Sequence, residues 1–267
     1  DFDGNGYSIL NLRTVKTFND TTIQFGLFRT LNYSTVRNLN IERSLTILTL
    51  NSSGQSYEGY GGLIASSAYY TSFVNVSVSG EMSISNATSG RTYIGGFVGS
   101  GDQLTIKDST SNVQISSKTI AGGFVARGWN IKIERSYTTG ALFTEERVGG
   151  LIGESGSVSV LDTYSTMTIQ SNSYSGVAGL IGNGYDNISI KNSYFNGQII
   201  RLKDLADIFD DEEEIEILTS IDGKDTTLLD VYKKSGADIL EIIDQIRGKI
   251  AIYESQYKGV NLEVTYD

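Results

Sequence analysis

Residues 122–137 read GGFVARGWNIKIERSY, and residues 149–164 read GGLIGESGSVSVLDTY, the same phrase 27 positions later. Two small residues precede two bulky apolar ones; then come a short polar stretch, an apolar/polar alternation and a polar turn position before Ser/Thr-Tyr. The opening corner recurs as GGLIA at Gly61, GGFVG at Gly95 and AGLIG at Ala178, with a looser copy, FGLFR, at Phe25. Counted on the second small residue the steps are 36, 34, 27, 27 and 29. Self-similarity at such a period marks a repeat architecture and outranks any local motif.

The alternating phrase recurs as well: TVRNLNI from Thr35, SFVNVSV from Ser72, LTIKDST from Leu104, IKIERSY from Ile131, VSVLDTY from Val158 and ISIKNSY from Ile188. Alternation of this kind predicts strands with one buried face, because successive strand side chains point to opposite sides. Each phrase reaches a polar turn residue, in order Asn38, Asn75, Asp108, Arg135, Asp162 and Asn192. A third apolar stretch closes most units: VSVSGEMSI at Val76, NVQIS at Asn112, TGALF at Thr139, STMTIQ at Ser165 and NGQII at Asn196. Three short strands per unit, joined by Gly, Ser, Asn and Asp turns, predict a mainly β chain wound as a parallel β-helix of about six coils over residues 1–200. An antiparallel sandwich of many short strands is the alternative.

Past Ile200 the Gly-Gly signal stops. Residues 202–209 have helical spacing, an acidic run fills positions 210–214, and TTLLDVYKKSG from Thr226 reads as a helix ended by Gly236. Ile239, Ile242, Ile243 and Ile246 share a helical face, and KIAIY at Lys249 and VNLEVTY at Val260 read as strands. Residues 201–267 are therefore expected to form a small α+β unit, either capping the exposed strand edge of the preceding repeats or serving in assembly.

Composition narrows function. The chain has no His, Cys or Pro. Missing Pro suits a fold in which nearly every strand is paired, since Pro cannot donate to a ladder. Missing Cys excludes a disulfide framework, and missing His removes the Ser-His, Cys-His and His-metal devices. Residues 1–200 carry 13 basic and 14 acidic side chains, against 8 basic and 17 acidic from Arg201 on. The acidity thus belongs to the tail, which speaks against a nucleic-acid partner. No apolar run approaches the roughly 20 residues of a spanning helix, so no membrane span is expected in this segment. The chain opens at Asp1 with no initiator Met, which suggests processing or truncation.

The phrases FDGNGYSILNL at Phe2, the GGLIG corners and ISIKNSYFNG at Ile188 resemble the GLUG-motif repeats of bacterial adhesin-like surface proteins and of the N-terminal region of IgA-cleaving metallopeptidases. The resemblance implies a right-handed coil located outside the cell and no catalytic residues, the chemistry of those peptidases residing in a separate zinc domain whose HExxH signature a His-free chain cannot hold. The resulting expectation is a non-enzymatic, secreted or cell-surface structural protein, a stalk, adhesin segment or filament subunit. Its partners would be itself, end to end, or cell-surface glycans and proteins, and no cofactor is called for. A carbohydrate-binding or carbohydrate-cleaving module, or a spacer of a larger secreted protease, is the alternative.

Several residues stand out as candidate sites. Asp1, Asp3 and Asn5 imitate the start of a calcium loop, but Leu12 occupies the position of its bidentate acid, which favours a turn. Glycan-acceptor sequons lie at Asn19, Asn32, Asn51, Asn75, Asn86 and Asn187. Tyr137, Tyr164 and Tyr194 occupy equivalent places in three units and should stack as a column, a candidate glycan or partner surface that Trp129, Tyr69, Tyr70 and Tyr185 could extend. Glu134, Glu154, Asp162 and Asp186 are the acids that winding could bring together for glycosidic cleavage. GLIGNG at Gly179 lacks the strand-to-helix transition of a phosphate loop.

Overall fold

A computed structural model describes residues 1–18, 22–50, 57–86, 90–173, 175–201, 219–221, 224–226, 243, 246–247 and 249–250. The chain divides into two compact units, Asp1–Ile200 and Arg201–Asp267.

Among the described residues of the first unit every pairing is parallel, and each joins a strand to its counterpart one repeat along. The alternating phrases make a 19-stranded sheet and the Gly-Gly phrases a separate 6-stranded sheet. In the large sheet Val36 aligns with Phe73, Phe73 with Ile106, Ile106 with Ile133 and Ile133 with Val160, and all five are buried. The smaller sheet runs through Thr22–Phe25, Tyr57–Gly62, Gly90–Gly95, Ile120–Gly122, Val148–Gly149 and Val177–Ala178. Behind its glycines Phe73, Phe97 and Phe124 pack edge to face, with centroids 5.6 and 4.9 Å apart. Each such buried ring or aliphatic side chain contributes about 1.5–3 kcal/mol relative to exposure.

The expected right-handed β-helix of about six three-strand coils, followed by an α+β unit, is corrected here to two parallel sheets with almost no helix. In two early units the strands do not persist as separate elements: Thr35–Leu50 and Ser72–Asn86 are continuous strands of 16 and 15 residues, whereas Val158–Leu161, Tyr164–Ser165 and Thr168–Ser171 stay distinct. The reason lies in the turn residues. Asn38, Asn75, Asp108, Arg135, Asp162 and Asn192 all take positive φ, between 44° and 55°, and bend the chain with little interruption to its ladder. The antiparallel alternative is equally absent from the described strands of this unit, all of which pair in parallel.

One residue after that bend a hydroxyl column locks the register. Ser109, Ser136, Thr163 and Ser193 each donate to the carbonyl two residues back (2.7, 2.8, 2.9 and 2.7 Å). The same oxygens accept from backbone N–H groups one repeat earlier: Val76 to Ser109, Ser109 to Ser136, Ser136 to Thr163 and Thr163 to Ser193. A buried hydroxyl that both donates and accepts leaves no polar group unsatisfied, which is why Ser and Thr recur at this place.

In three successive units the second corner glycine faces a column of small side chains. A Cβ on Gly96 would meet Ser111 Oγ at 2.2 Å, one on Gly123 would meet Thr138 Cγ2 at 2.8 Å, and one on Gly150 would meet Ser165 Oγ at 2.3 Å. The nearest atom to each is the corner carbonyl of the next repeat, at 2.1 Å, so only glycine fits there.

In the second unit the described residues include an antiparallel pair, Thr219–Ile221 with Lys224–Thr226. Ile243, Ile246, Arg247, Lys249 and Ile250 are helical, so the helix expected around Ile246 extends into Lys249 and Ile250, where a strand was expected. The helix expected at 202–209 and the strand expected from Val260 lie outside the described residues.

Candidate functional site

The outer surface of the large sheet carries a polar and aromatic network built from neighbouring strands. Val125–Glu134 presents Arg127 and Trp129 two residues apart, hence on one face. Ile152–Ser155 lies beside it and aligns Glu154 with Arg127. Glu154 is buried and receives Arg127 Nε at 3.3 Å, Arg147 Nη1 at 2.6 Å and the Tyr185 hydroxyl at 2.9 Å. The Glu154 hydrogen bond holds the Arg147 guanidinium above its ordinary pKa. Tyr185 is also raised, first by burial and then by donating to Glu154. Such an arrangement tolerates a buried carboxylate because charge-assisted hydrogen bonds replace its water.

Around this network the aromatic side chains form ladders. The Arg127 guanidinium lies 5.3 Å from the ring centres of both Tyr93 and Trp129. Trp129 and Tyr185 are parallel within 9°, with centroids 6.3 Å apart. They sit two repeats apart, and the intervening position is Gly156, where a Cβ would lie 2.7 Å from Trp129 Nε1. Tyr60 stacks on Tyr93 at 5.0 Å, and its pKa is pushed up to about 12, chiefly by burial. Beside Trp129 a depression of about 340 Å³ is lined by Tyr69, Ser100, Gly101, Asp102, Arg127, Trp129 and Asn130.

Tyr137, Tyr164 and Tyr194 stack in succession, with centroids 4.9 and 5.4 Å apart. Trp129, Tyr69, Tyr70 and Tyr185 do not extend this column: Tyr70 stacks on Tyr33 at 4.5 Å, while Trp129 stacks on Tyr185. The acids considered for glycosidic cleavage are engaged separately. Glu134 pairs with Lys132 at 2.7 Å, Glu154 with the two arginines, and Asp162 accepts from Asn192 at 3.0 Å.

Asp1, Asp3 and Asn5 serve the first turn. Asp3 accepts from the Asn5 backbone (2.9 Å), Asn38 (3.0 Å) and Arg37 (2.8 Å), which hold its carboxyl below the ordinary range, and Asp1 accepts from the Thr35 backbone. Among the described residues no cluster of three or more acids is placed to hold a metal ion. Of the sequons, Asn32, Asn75 and Asn187 are exposed, and Asn86 ends the strand Ser72–Asn86. Asn75 donates to Asn38 at 2.9 Å. Asn19 and Asn51 lie outside the described residues.

Comparison with known proteins gives a different relationship from the one the repeats suggest. The model of the AcrB/AcrD/AcrF family matches residues 103–267, more than half of the chain. The chain belongs to this family. The multidrug resistance protein MdtC of Yersinia enterocolitica and that of Pantoea ananatis are each 32% identical to it over 75 residues, 28% of this chain. The chain spans 7% of the length of these curated relatives. No solved structure matches it.

Membership of the AcrB/AcrD/AcrF family overturns the likeness to GLUG-motif proteins and the expectations resting on it. The relatives it matches are named multidrug resistance proteins, so the stalk, adhesin and filament roles, the secreted or cell-surface location, self-assembly end to end and the glycan partners, all of which rested on the other likeness, are corrected. The carbohydrate module and protease spacer go with them. The repeats misled because glycine corners and hydroxyl columns are what any closely stacked parallel strands require, whatever protein carries them.

Proposed function

We propose that this chain is a component of a multidrug efflux transporter of the AcrB/AcrD/AcrF family, contributing a part that stands outside the lipid. The observation that carries the reading is the family match over residues 103–267. The identity to MdtC supports it. Among the described residues no helix is long and apolar enough to cross a membrane. The outward faces of the strands carry Ser, Thr, Asn and charged side chains, as at Thr105, Lys107, Lys132 and Glu134, which suit contact with water.

In this reading the chain is non-enzymatic. Glu134, Glu154 and Asp162 are held by lysine, arginine and asparagine partners rather than facing one another as an acid/base pair, while the parallel sheets supply a stiff, hydrogen-bonded scaffold. The transporter's membrane location, its assembly and its partner proteins belong to the same proposal.

The test is export. The protein that carries this chain is expressed in a bacterial strain lacking its main efflux pumps, and retention of a fluorescent dye is followed after energisation. Lower dye retention than in the empty strain, lost when residues 103–267 are deleted, is the expected result. Normal production of the protein with unchanged retention would remove the proposal.

A further inference from the structure

The depression beside Trp129 holds two opposite charges that do not neutralise each other. Asp102 aligns with Tyr69 on one side and with Trp129 on the other, so its carboxylate stands between two rings about 9 to 10 Å apart, twice the strand spacing. Both rings are 37% exposed. The polar contact of Asp102 is with a neutral group, the Asn130 amide at 3.1 Å. Arg127 lies diagonally across the adjacent strand, on the same face, at roughly 8 Å by sheet geometry. No ion pair joins it to Asp102 among the described residues.

Arg127 is not neutralised one to one either. It shares the single carboxylate of Glu154 with Arg147, so two guanidiniums face one buried acid. Glu154 and Tyr93 engage two of the five N–H donors of Arg127, one at Nε and one at Nη1. The Arg127 side chain is 34% exposed and lines the depression. At about 340 Å³ the space is at the small end of ligand sites.

From this we propose that the depression binds a small zwitterion, its ammonium seated between Tyr69 and Trp129 against Asp102 and its carboxylate on Arg127. Aromatic faces attract an ammonium through their negative π-surfaces, most strongly when it is alkylated and weakly hydrated. Arginine is suited to the carboxylate because its planar donors match the two oxygens. A simple cation would leave the Arg127 charge unanswered, and a simple anion would leave Asp102 so. This assignment is independent of the transport reading.

The chain has a single tryptophan, so intrinsic fluorescence reports on Trp129 alone. The full chain is titrated with glycine betaine, choline and propionate, which present both charges, the ammonium only and the carboxylate only. A saturable change with betaine is expected, with choline and propionate each weaker by about tenfold or more, the worth of one charged contact. Asp102→Asn, which removes no ion pair, is expected to weaken betaine about tenfold and leave propionate unchanged; far-UV circular dichroism checks that the fold is intact. Choline binding as tightly as betaine would overturn the proposal in favour of a cation site. Propionate doing so would overturn it in favour of an anion site, and no saturation by betaine would leave no site at all.

Discussion

Gly123→Ala puts the close stacking of the glycine corners to a direct test. The new methyl would lie 2.1 Å from the Gly150 carbonyl oxygen, 2.8 Å from Thr138 Cγ2 and 3.0 Å from Met167 Sδ, with the first of these fixed in the backbone of the next repeat. Real Cβ contacts essentially never fall under 3.0 Å, so the strands must part by nearly 1 Å. Parting strands that are normally about 4.8 Å apart strains the bonds that hold them here, Gly123 N–H to Gly149 O (3.4 Å) and Phe124 N–H to Leu151 O (2.9 Å). Two weakened backbone bonds at about 1 kcal/mol each, added to an overpacking cost of about 1–3 kcal/mol, give a loss of roughly 3–5 kcal/mol.

Gly156→Ala is the control. There the methyl would meet the edge of Trp129 at 2.7 Å and the carboxylate tip of Asp186 at 2.9 Å, both ends of side chains that can swing away, so a loss below about 1 kcal/mol is expected. Urea unfolding followed by Trp129 fluorescence measures both variants. Equal losses, or a Gly123→Ala midpoint within error of the parent, would refute the reasoning.

Further outcomes follow from the charged groups. Glu154→Ala leaves two guanidiniums and the Tyr185 hydroxyl without their shared acceptor; because each arginine is about a third exposed, the loss is expected at about 2–3 kcal/mol, below that for a fully buried pair, with Glu154→Gln intermediate by the same urea assay. Arg135→Asn is expected to leave the unfolding midpoint unchanged or raised: Asn accepts the positive φ of 44° more readily than Arg, and Asn192 already shows at 3.0 Å how an amide bonds the acid one repeat earlier. A midpoint as low as that of Glu154→Ala would contradict this. Asp3, Asp108 and Glu134 have lowered pKa values, from a backbone bond to Asn5, from Arg135 and from Lys132 respectively. Their folded forms bind protons less readily than the unfolded chain, so their contribution is present at neutral pH, begins to fall near the ordinary values of 4.5 for Glu and 3.8 for Asp, and is lost as pH passes the lowered values. Acid titration of Asp3→Asn is therefore expected to fall less steeply than that of the parent.

What the sequence reveals and what it conceals have physical causes. The six turn residues from Asn38 to Asn192 are legible because Asn and Asp favour the left-handed region and recur at one place in the repeat, and Arg135 is found only through its position. The stack of Tyr137, Tyr164 and Tyr194 is legible because in-register parallel pairing makes equal positions neighbours. A second row of positive-φ residues, Tyr33, Tyr70, Gln103, Asn130 and Ser157, stands five positions before the first and escapes notice because its residue types have nothing in common. Glu154 sits in GESG, where nothing local marks it as buried; its burial depends on Arg147 and Tyr185, neither adjacent in sequence. The hairpin of Thr219–Ile221 and Lys224–Thr226 has a signal that was there to be read, Asp222-Gly223 between the strands. Family membership is obscured for another reason: the repeats dominate residues 1–200, while the matching region, 103–267, takes in the tail, whose acidic and helical patterns are generic.

The columns of glycine, hydroxyl and aromatic residues all require that each repeat lie in register beside the next. Arg37, Val74, Lys107, Glu134, Leu161 and Lys191 mark one such line, each aligned with its successor. The chain has no native cysteine, so pairs of spin labels can be placed by Arg37→Cys, Val74→Cys or Lys107→Cys, each combined with Lys191→Cys. Pulsed electron resonance is expected to give backbone separations rising in equal steps, about 14, 19 and 24 Å for three, four and five strand spacings. Separations that do not rise in that order, or that stay constant as the first label moves along the line, would contradict the stacked register itself.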